Sequence, residues 1–196
     1  MSKAERTKQF IIEKTAPIFN AKGYAGTSLN DMIFATGLTK GSIYGNFENK
    51  DEVAVAAFDH TIQKVFLLLK NRVNEKNTII EKLLVYPETY SNFFDIPFLS
   101  AGCPILNTAT EVDDTHPLLR KKVNEVISFW KKTLTLLIKH GIETNELKQD
   151  INIEEFVIIL VSLIEGGVMQ AKISGQILPL RITMKHLEKL IMDLKN

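Results

Sequence analysis

The stretch Thr27-Ser-Leu-Asn-Asp-Met-Ile-Phe-Ala-Thr-Gly-Leu-Thr-Lys-Gly-Ser-Ile-Tyr-Gly-Asn-Phe-Glu-Asn-Lys50 reads as two short helices joined by a glycine turn, with the start of a third behind them. Leu29, Met32 and Ile33 share one apolar face of a helix that Thr27 or Ser28 can cap, with Asp31 in its acidic first turn. Gly37 is free to take a positive φ and ends that helix. Leu38 then packs inward, and Thr39 caps a second helix that runs to about Tyr44 or Gly45. Leu38, Ile43 and Phe47 become core, while Thr39, Lys40, Ser42 and Tyr44 face out. An isolated helix below roughly 12–15 residues is marginal in water, so neighbours must hold this one.

Those neighbours are legible on both sides. Upstream, Ile12, Ala16 and Phe19 recur at helical spacing in a helix ending at Gly23. Pro17 is expected to kink it, because proline removes one backbone donor and crowds the preceding turn. Downstream, Asn49 caps a long helix with Glu52 at its third position and Val53, Ala56, Ala57 and Phe58 on its apolar face. The pattern is a small three-helix head on a long fourth helix. That is a helix-turn-helix, and it points at DNA.

At these residues the chain resembles the tetracycline-repressor-like (TetR) family of bacterial transcription regulators. The resemblance is carried by Gly23-Tyr24, the hydroxyl pair Thr27-Ser28, Ile33 with Phe34-Ala35, Gly37, Thr39, Gly41, Tyr44 through Phe47, and Lys50, and covers about the first 60 residues. Phe34 stands where the family usually has a small residue, and Asn46 where His or Tyr is common. A second segment, Gly102-Cys-Pro-Ile-Leu-Asn-Thr-Ala-Thr-Glu111 with Asp113-Asp-Thr-His-Pro117, resembles the carboxy-terminal domains of one TetR subgroup. The resemblance implies a bacterial cytoplasmic homodimer that binds a palindromic operator, usually represses, and carries an all-helical carboxy-terminal domain for a small effector.

The 196 residues suffice for a sizeable core. Net charge is only +1, but residues 1–50 hold seven Lys and Arg against four Asp and Glu, so the basic end is the expected DNA-binding end. The one cysteine, Cys103, rules out an intramolecular disulfide framework, and no signal peptide is expected before the first helix. Cys103 reads as a thiol sensor or, with no visible activator, as a small packed side chain. The longest apolar run, Phe156 to Ile164, is nine residues, short of the roughly 20 a membrane span requires, so no membrane partner is expected.

Along the rest of the chain, the fourth helix continues to about Val73. Thr78 and Glu81 form a capping box opening a fifth helix that ends near Tyr90. Ser91 to Pro104 reads as a loop whose aromatics must be covered. Ile105, Leu106, Ala109 and Val112 mark a short sixth helix, and Pro117 opens a seventh running to Gly141. Asn152 caps an eighth helix that is apolar nearly all round, in which Gly166-Gly167 lets a neighbour approach closely. A ninth after Pro179 places Leu180, Met184, Leu187, Ile191 and Leu194 along a coiled-coil-like seam. The last two helices have more apolar surface than one monomer readily buries, which predicts a homodimer joined through them in a four-helix bundle. The expected fold is therefore all-α with about nine helices: a helix-turn-helix head over residues 1–50 and a helical effector-binding and dimerisation domain over 51–196.

Two-fold symmetry would set two recognition helices one turn of DNA apart, roughly 34–36 Å, on inverted half-sites of a double-stranded operator. Thr27, Ser28, Tyr44 and Lys50 are candidates for phosphate contacts, Lys50 at a helix amino terminus whose dipole favours an anion. Lys40, Thr39, Ser42 and Asn46 are candidates for base reading, with Gly41 allowing close approach of the backbone. The alternative for each is a solvated helix face, and for Tyr44 a cover over the head's core. Lys3, Arg6 and Lys8 read as an arm along the DNA or as ordinary solubilising charge.

For a small-molecule effector of unknown identity, Phe93, Phe94, Phe98, Leu106, Thr110, Phe129, Glu165 and Met169 could line an apolar pocket, or be plain core. Glu165 inside an apolar helix requires a partner: an effector group or a structural one. Asp113, Asp114 and His116 read as a helix cap before Pro117 rather than a metal site. No cofactor is expected. Nor is an enzyme, since the four histidines are far apart in sequence, no Ser or Cys nucleophile has a recognisable base, and there is no phosphate loop. The expected function is a repressor released from its operator by the effector; the alternative is a DNA-binding regulator or activator without an effector, controlled by a protein partner.

Overall fold

The computed structural model describes residues 2–112 and 115–196, so Asp113 and Asp114 lie outside the described residues. Among those residues it is all-helical: α1 (Lys3–Gly26), α2 (Leu29–Thr36), α3 (Lys40–Tyr44), α4 (Lys50–Asn74), α5 (Ile79–Ser91), α6 (Pro104–Val112), α7 (Pro117–Glu143), α8 (Ile153–Ser174) and α9 (Leu178–Met192). Two single 3-10 turns, Phe93–Asp95 and Pro97–Leu99, sit within the segment expected to be a loop. Phe93 is covered there by a stack on Tyr90 with ring centroids 4.8 Å apart.

The helix starts follow the capping chemistry. Ser28 and Asp31, then Thr78 and Glu81, close reciprocal capping boxes at α2 and α5. Thr39 accepts the Ser42 amide at α3, and Asn49 accepts the Glu52 amide at 2.9 Å at α4. Gly37 ends α2 in the left-handed region at φ 67°, which lets the chain reverse within a residue.

The first helix breaks at Gly23, where the sequence places its end, and lacks the kink expected at Pro17. Dihedrals stay helical through Pro17 and break at Gly23, with φ 73° and ψ −179°. Pro17 lies on the exposed side of α1, where a carbonyl left without a donor meets water. Only Gly23 can adopt the turn that redirects the chain toward α2.

Two compact units result: Met1–Lys64 with Cys103–Asn124, and Val65–Gly102 with Glu125–Asn196. The first therefore extends past residue 50 to include the early turns of α4, all of α6 and the start of α7. Its head is built on Ile11, Met32, Ile43, Phe47 and Val53, with Leu29, Ile33, Leu38 and Tyr44 packed around them. In the second unit α9 packs against α8 and α5. Leu160, Ile164 and Val168 of α8 and Leu180, Met184, Leu187 and Ile191 of α9 are all fully buried. Gly167 is where the two helices approach: a Cβ there would fall 2.3 Å from Thr183 Oγ1.

By length and composition α8 as a whole could cross a membrane, which the nine-residue apolar run does not reveal. Here it is a packed helix with one face on α9. Its other side leaves Ile158, Ile159, Met169 and Ile173 exposed, alongside Leu178, Ile182 and Met192 of α9.

Candidate nucleic-acid interface and body cavity

The head presents α3 with its amino end open. Thr39, Lys40 and Gly41 are exposed and Ser42 is half-buried, while Ile43 of the same five-residue helix is fully buried in the head. A helix this short holds its place through that one anchor and through Tyr44 and Phe47 behind it. Asn46 folds back, its amide donating to the Ser42 carbonyl at 2.8 Å. Tyr44 is half-buried against the head core, so its ring is both part of the cover and partly open to an approaching surface.

Thr27 and Ser28 are already engaged. Thr27 is 0% exposed; its hydroxyl donates to the Gly23 carbonyl at 2.6 Å and its amide to Tyr24. It clamps the turn after Gly23, and with neither surface nor a spare donor it leaves the set of candidate phosphate contacts. Ser28 is exposed, with its hydroxyl inside the α2 capping box. Asp31, the other half of that box, also takes Lys22 Nζ at 2.6 Å. The Lys22 contact first, then the Ser28 amide and hydroxyl, hold its carboxyl far below the usual range.

Lys50 opens α4 with its ammonium 4.3 Å from the centre of the Tyr24 ring. The Tyr24 hydroxyl donates to Asp51, and that bond, with burial and the same negative charge, pushes the phenol up to about 12. His116 sets its ring edge-on to Tyr24 at 4.4 Å and its Nε2 lies 3.6 Å from Asp51. Glu111 of α6 accepts the Tyr24 and Ala25 amides, each at 2.6 Å, satisfying the backbone freed by the break at Gly23. This polar link inside the first unit joins residues 87 apart in sequence. Sequence reasoning missed it; the nearest signal was the acidic end of a short helix.

In the second unit, a cleft of about 400 Å³ opens between α4, α5 and α7. Its floor is Leu69, Tyr86 and Trp130, all buried. Its mouth carries Phe66 and Phe129, 5.1 Å apart by ring centroids, with Lys70 exposed beside them. Trp130 lies across two tyrosines one helical turn apart, 6.5 Å from Tyr86 and 6.2 Å from Tyr90. A groove of similar size between α7 and α8 is shallower and runs past Lys131, Lys139 and Glu154.

Of the eight residues expected around an effector, Phe129 lines the cleft. Phe93 is stacked in the core and Phe94 meets it edge-on at 5.8 Å. Phe98 is half-buried in its 3-10 turn. Leu106 and Thr110 belong to α6 in the first unit, and Glu165 and Met169 to α8 in the second. The cleft residues missed in the sequence, Phe66, Leu69, Lys70 and Val73, have the ordinary spacing of a helix face, which by itself cannot separate a cavity wall from core. Cys103 is buried. No cluster of His, Cys, Asp or Glu suited to a metal occurs among the described residues.

Residues 11–57 match the family model described as bacterial regulatory proteins, tetR family, and residues 80–187 match the tetracyclin repressor-like C-terminal domain. A TetR-family transcriptional regulator from Cytophaga hutchinsonii is 44% identical and superposes with a TM-score of 0.92, covering 100% of this chain and 98% of that one. A TetR transcriptional regulator from Chloroflexus aurantiacus is 34% identical with a TM-score of 0.93 over 100% and 98%. The transcriptional repressor DhaR of a Mycobacterium species is 26% identical over 88% of this chain and 86% of its own. With both its head and the greater part of its body matched, the chain belongs to the TetR family of DNA-binding transcriptional regulators.

Proposed function

We propose that this protein is a cytoplasmic homodimeric repressor, held on an inverted-repeat operator by two α3 helices and released when a small molecule occupies the cleft of the second unit. The observation that carries the DNA half is the exposed row Thr39, Lys40 and Gly41, with Ser42 half-open beside it, on a helix anchored from behind. Lys40 donates to base edges, while Tyr44 and Lys50, joined by Ser28 when its exposed hydroxyl turns from Asp31 to the DNA, hold phosphates and set the register. Thr39, Ser42 and Asn46 complete the reading surface. The dimer half is supported by the exposed apolar side chains of α8 and α9, Ile173 at 84% and Ile182 at 59%, which a symmetric four-helix contact would cover. Effector release follows if the ligand prefers a conformation whose heads no longer match the half-site spacing.

The test is fluorescence anisotropy on DNA flanking the protein's own gene, at several salt concentrations and against random competitor DNA. Competitor-resistant binding with dimer stoichiometry is expected. Lys40→Ala is expected to weaken it at least tenfold, and Lys50→Ala to flatten the dependence of log K on log salt by about 0.9 for one lost phosphate contact. Binding no stronger than to random DNA, or unchanged in Lys40→Ala, would reject α3 as the reader.

A further inference from the structure

We infer that the cleft between α4, α5 and α7 takes an apolar organic anion, a carboxylate or similar acid on an aromatic or branched aliphatic body. This rests on the reading of the cleft as the effector site and specifies its chemistry. The walls set the body: Phe66, Leu69, Tyr86, Phe129 and Trp130 enclose about 400 Å³, a volume within the range of sites that bury a drug-sized molecule.

The polar groups set the head of the ligand. The lining contains one charged side chain, Lys70, and no carboxylate. Lys70 has no salt bridge among the described residues. Trp130 is 2% exposed, and its Nε1–H is buried without an acceptor. A buried donor left unmet forfeits the hydrogen bond it made to water in the unfolded chain, a loss that an acceptor on the ligand would recover. Tyr86 adds a phenol, which is a donor at neutral pH in any case and is pushed up to about 12 by burial. The lining therefore carries donors on Lys70, Tyr86 and Trp130, with Asn74 and Thr133 as its neutral polar groups, and Lys70 makes its rim positive. Aromatic walls also attract cations, but a cationic ligand would face Lys70 and leave the indole N–H unmet.

Three near-isosteric probes separate the possibilities: phenylbutyrate, phenylbutanol and phenylbutylamine. Trp130 is the only tryptophan in the chain, so its emission in the full-length protein reports occupancy directly, and calorimetry gives the affinities. The acid is expected to bind saturably and at least tenfold more tightly than the alcohol, with the amine weakest. Lys70→Gln, at an exposed position, is expected to bring acid and alcohol to within about twofold. Trp130→Phe, followed by calorimetry, is expected to weaken the acid several-fold while sparing apolar contact. Equal or tighter binding of alcohol or amine, or an acid preference that survives Lys70→Gln, overturns the anion assignment and leaves the cleft as a ligand site. No saturable binding by any of the three overturns the assignment of the cleft itself, whatever the outcome of the DNA titration.

Discussion

Glu111→Ala removes both acceptors from the backbone that follows the break in α1. The carboxylate takes the Tyr24 and Ala25 amides at 2.6 Å each. Hydrogen bonds to a charged group contribute about 1.5–3 kcal/mol apiece when neither partner can turn to water. The Ala25 amide is in an exposed residue and rehydrates, while Tyr24 is half-buried, so the lower end applies and the expected loss is about 2–3 kcal/mol in total. Glu111→Gln keeps one neutral acceptor, and about half of that loss is expected.

Trp130 sits in the second unit and is blind to the first, so the assay is native-state hydrogen exchange on the head, read at the Tyr24 and Ala25 amides and across α1 and α2. A faster exchange of both amides is expected, with a matching drop in the opening free energy of the head. Protection in Glu111→Ala within about 0.5 kcal/mol of the parent, the range of an ordinary surface substitution, would refute the view that α6 holds the turn.

Gly37→Val places a branched side chain at φ 67° and is expected to cost about 1–2 kcal/mol, seen as a lower urea midpoint for the head; an unchanged midpoint would contradict the turn assignment. The Asp31 carboxyl is held well below its ordinary 3.8, by Lys22 first and then Ser28, so its contribution is present above that value and is lost as pH falls below it. Asp31→Asn is expected to flatten that part of the acid stability profile, and an identical profile would dismiss the link. Ile173→Glu, on the exposed face of α8, is expected to convert dimer to monomer in sedimentation velocity with helicity retained; a dimer that persists would place the interface elsewhere.

Much of the head was legible because its signals are local. Ser28, Gly37, Thr39 and Asn49 act within four residues of where they stand, and each does in the structure what its chemistry predicts. The seam Leu180, Met184, Leu187 and Ile191 was legible for the same reason: a helix face is a short-range pattern. What escaped depends on distant partners. Thr27 looks like a surface hydroxyl until the Gly23 carbonyl is found beneath it. Pro17 looks like the kink until its exposed position shows that water can take the stranded carbonyl. The cleft escaped because three unremarkable helix faces form it together, and the gap among them depends on packing that no single segment encodes.

The position of Lys50 over the Tyr24 ring also bears on how the head would meet DNA. A free lysine side chain carries about 2 kcal/mol of rotamer entropy, most of which is forfeited when a phosphate captures it. Here the ring has already narrowed that freedom during folding, so in the proposed complex the ammonium needs little further ordering. Tyr24→Leu would free the lysine without removing its charge. Association would then slow little, since attraction at a distance is unchanged, while the complex would dissociate sooner and show a larger entropic penalty in calorimetry. In the proposed complex the aromatic ring would thus act on how long the protein stays on DNA rather than on how fast it arrives.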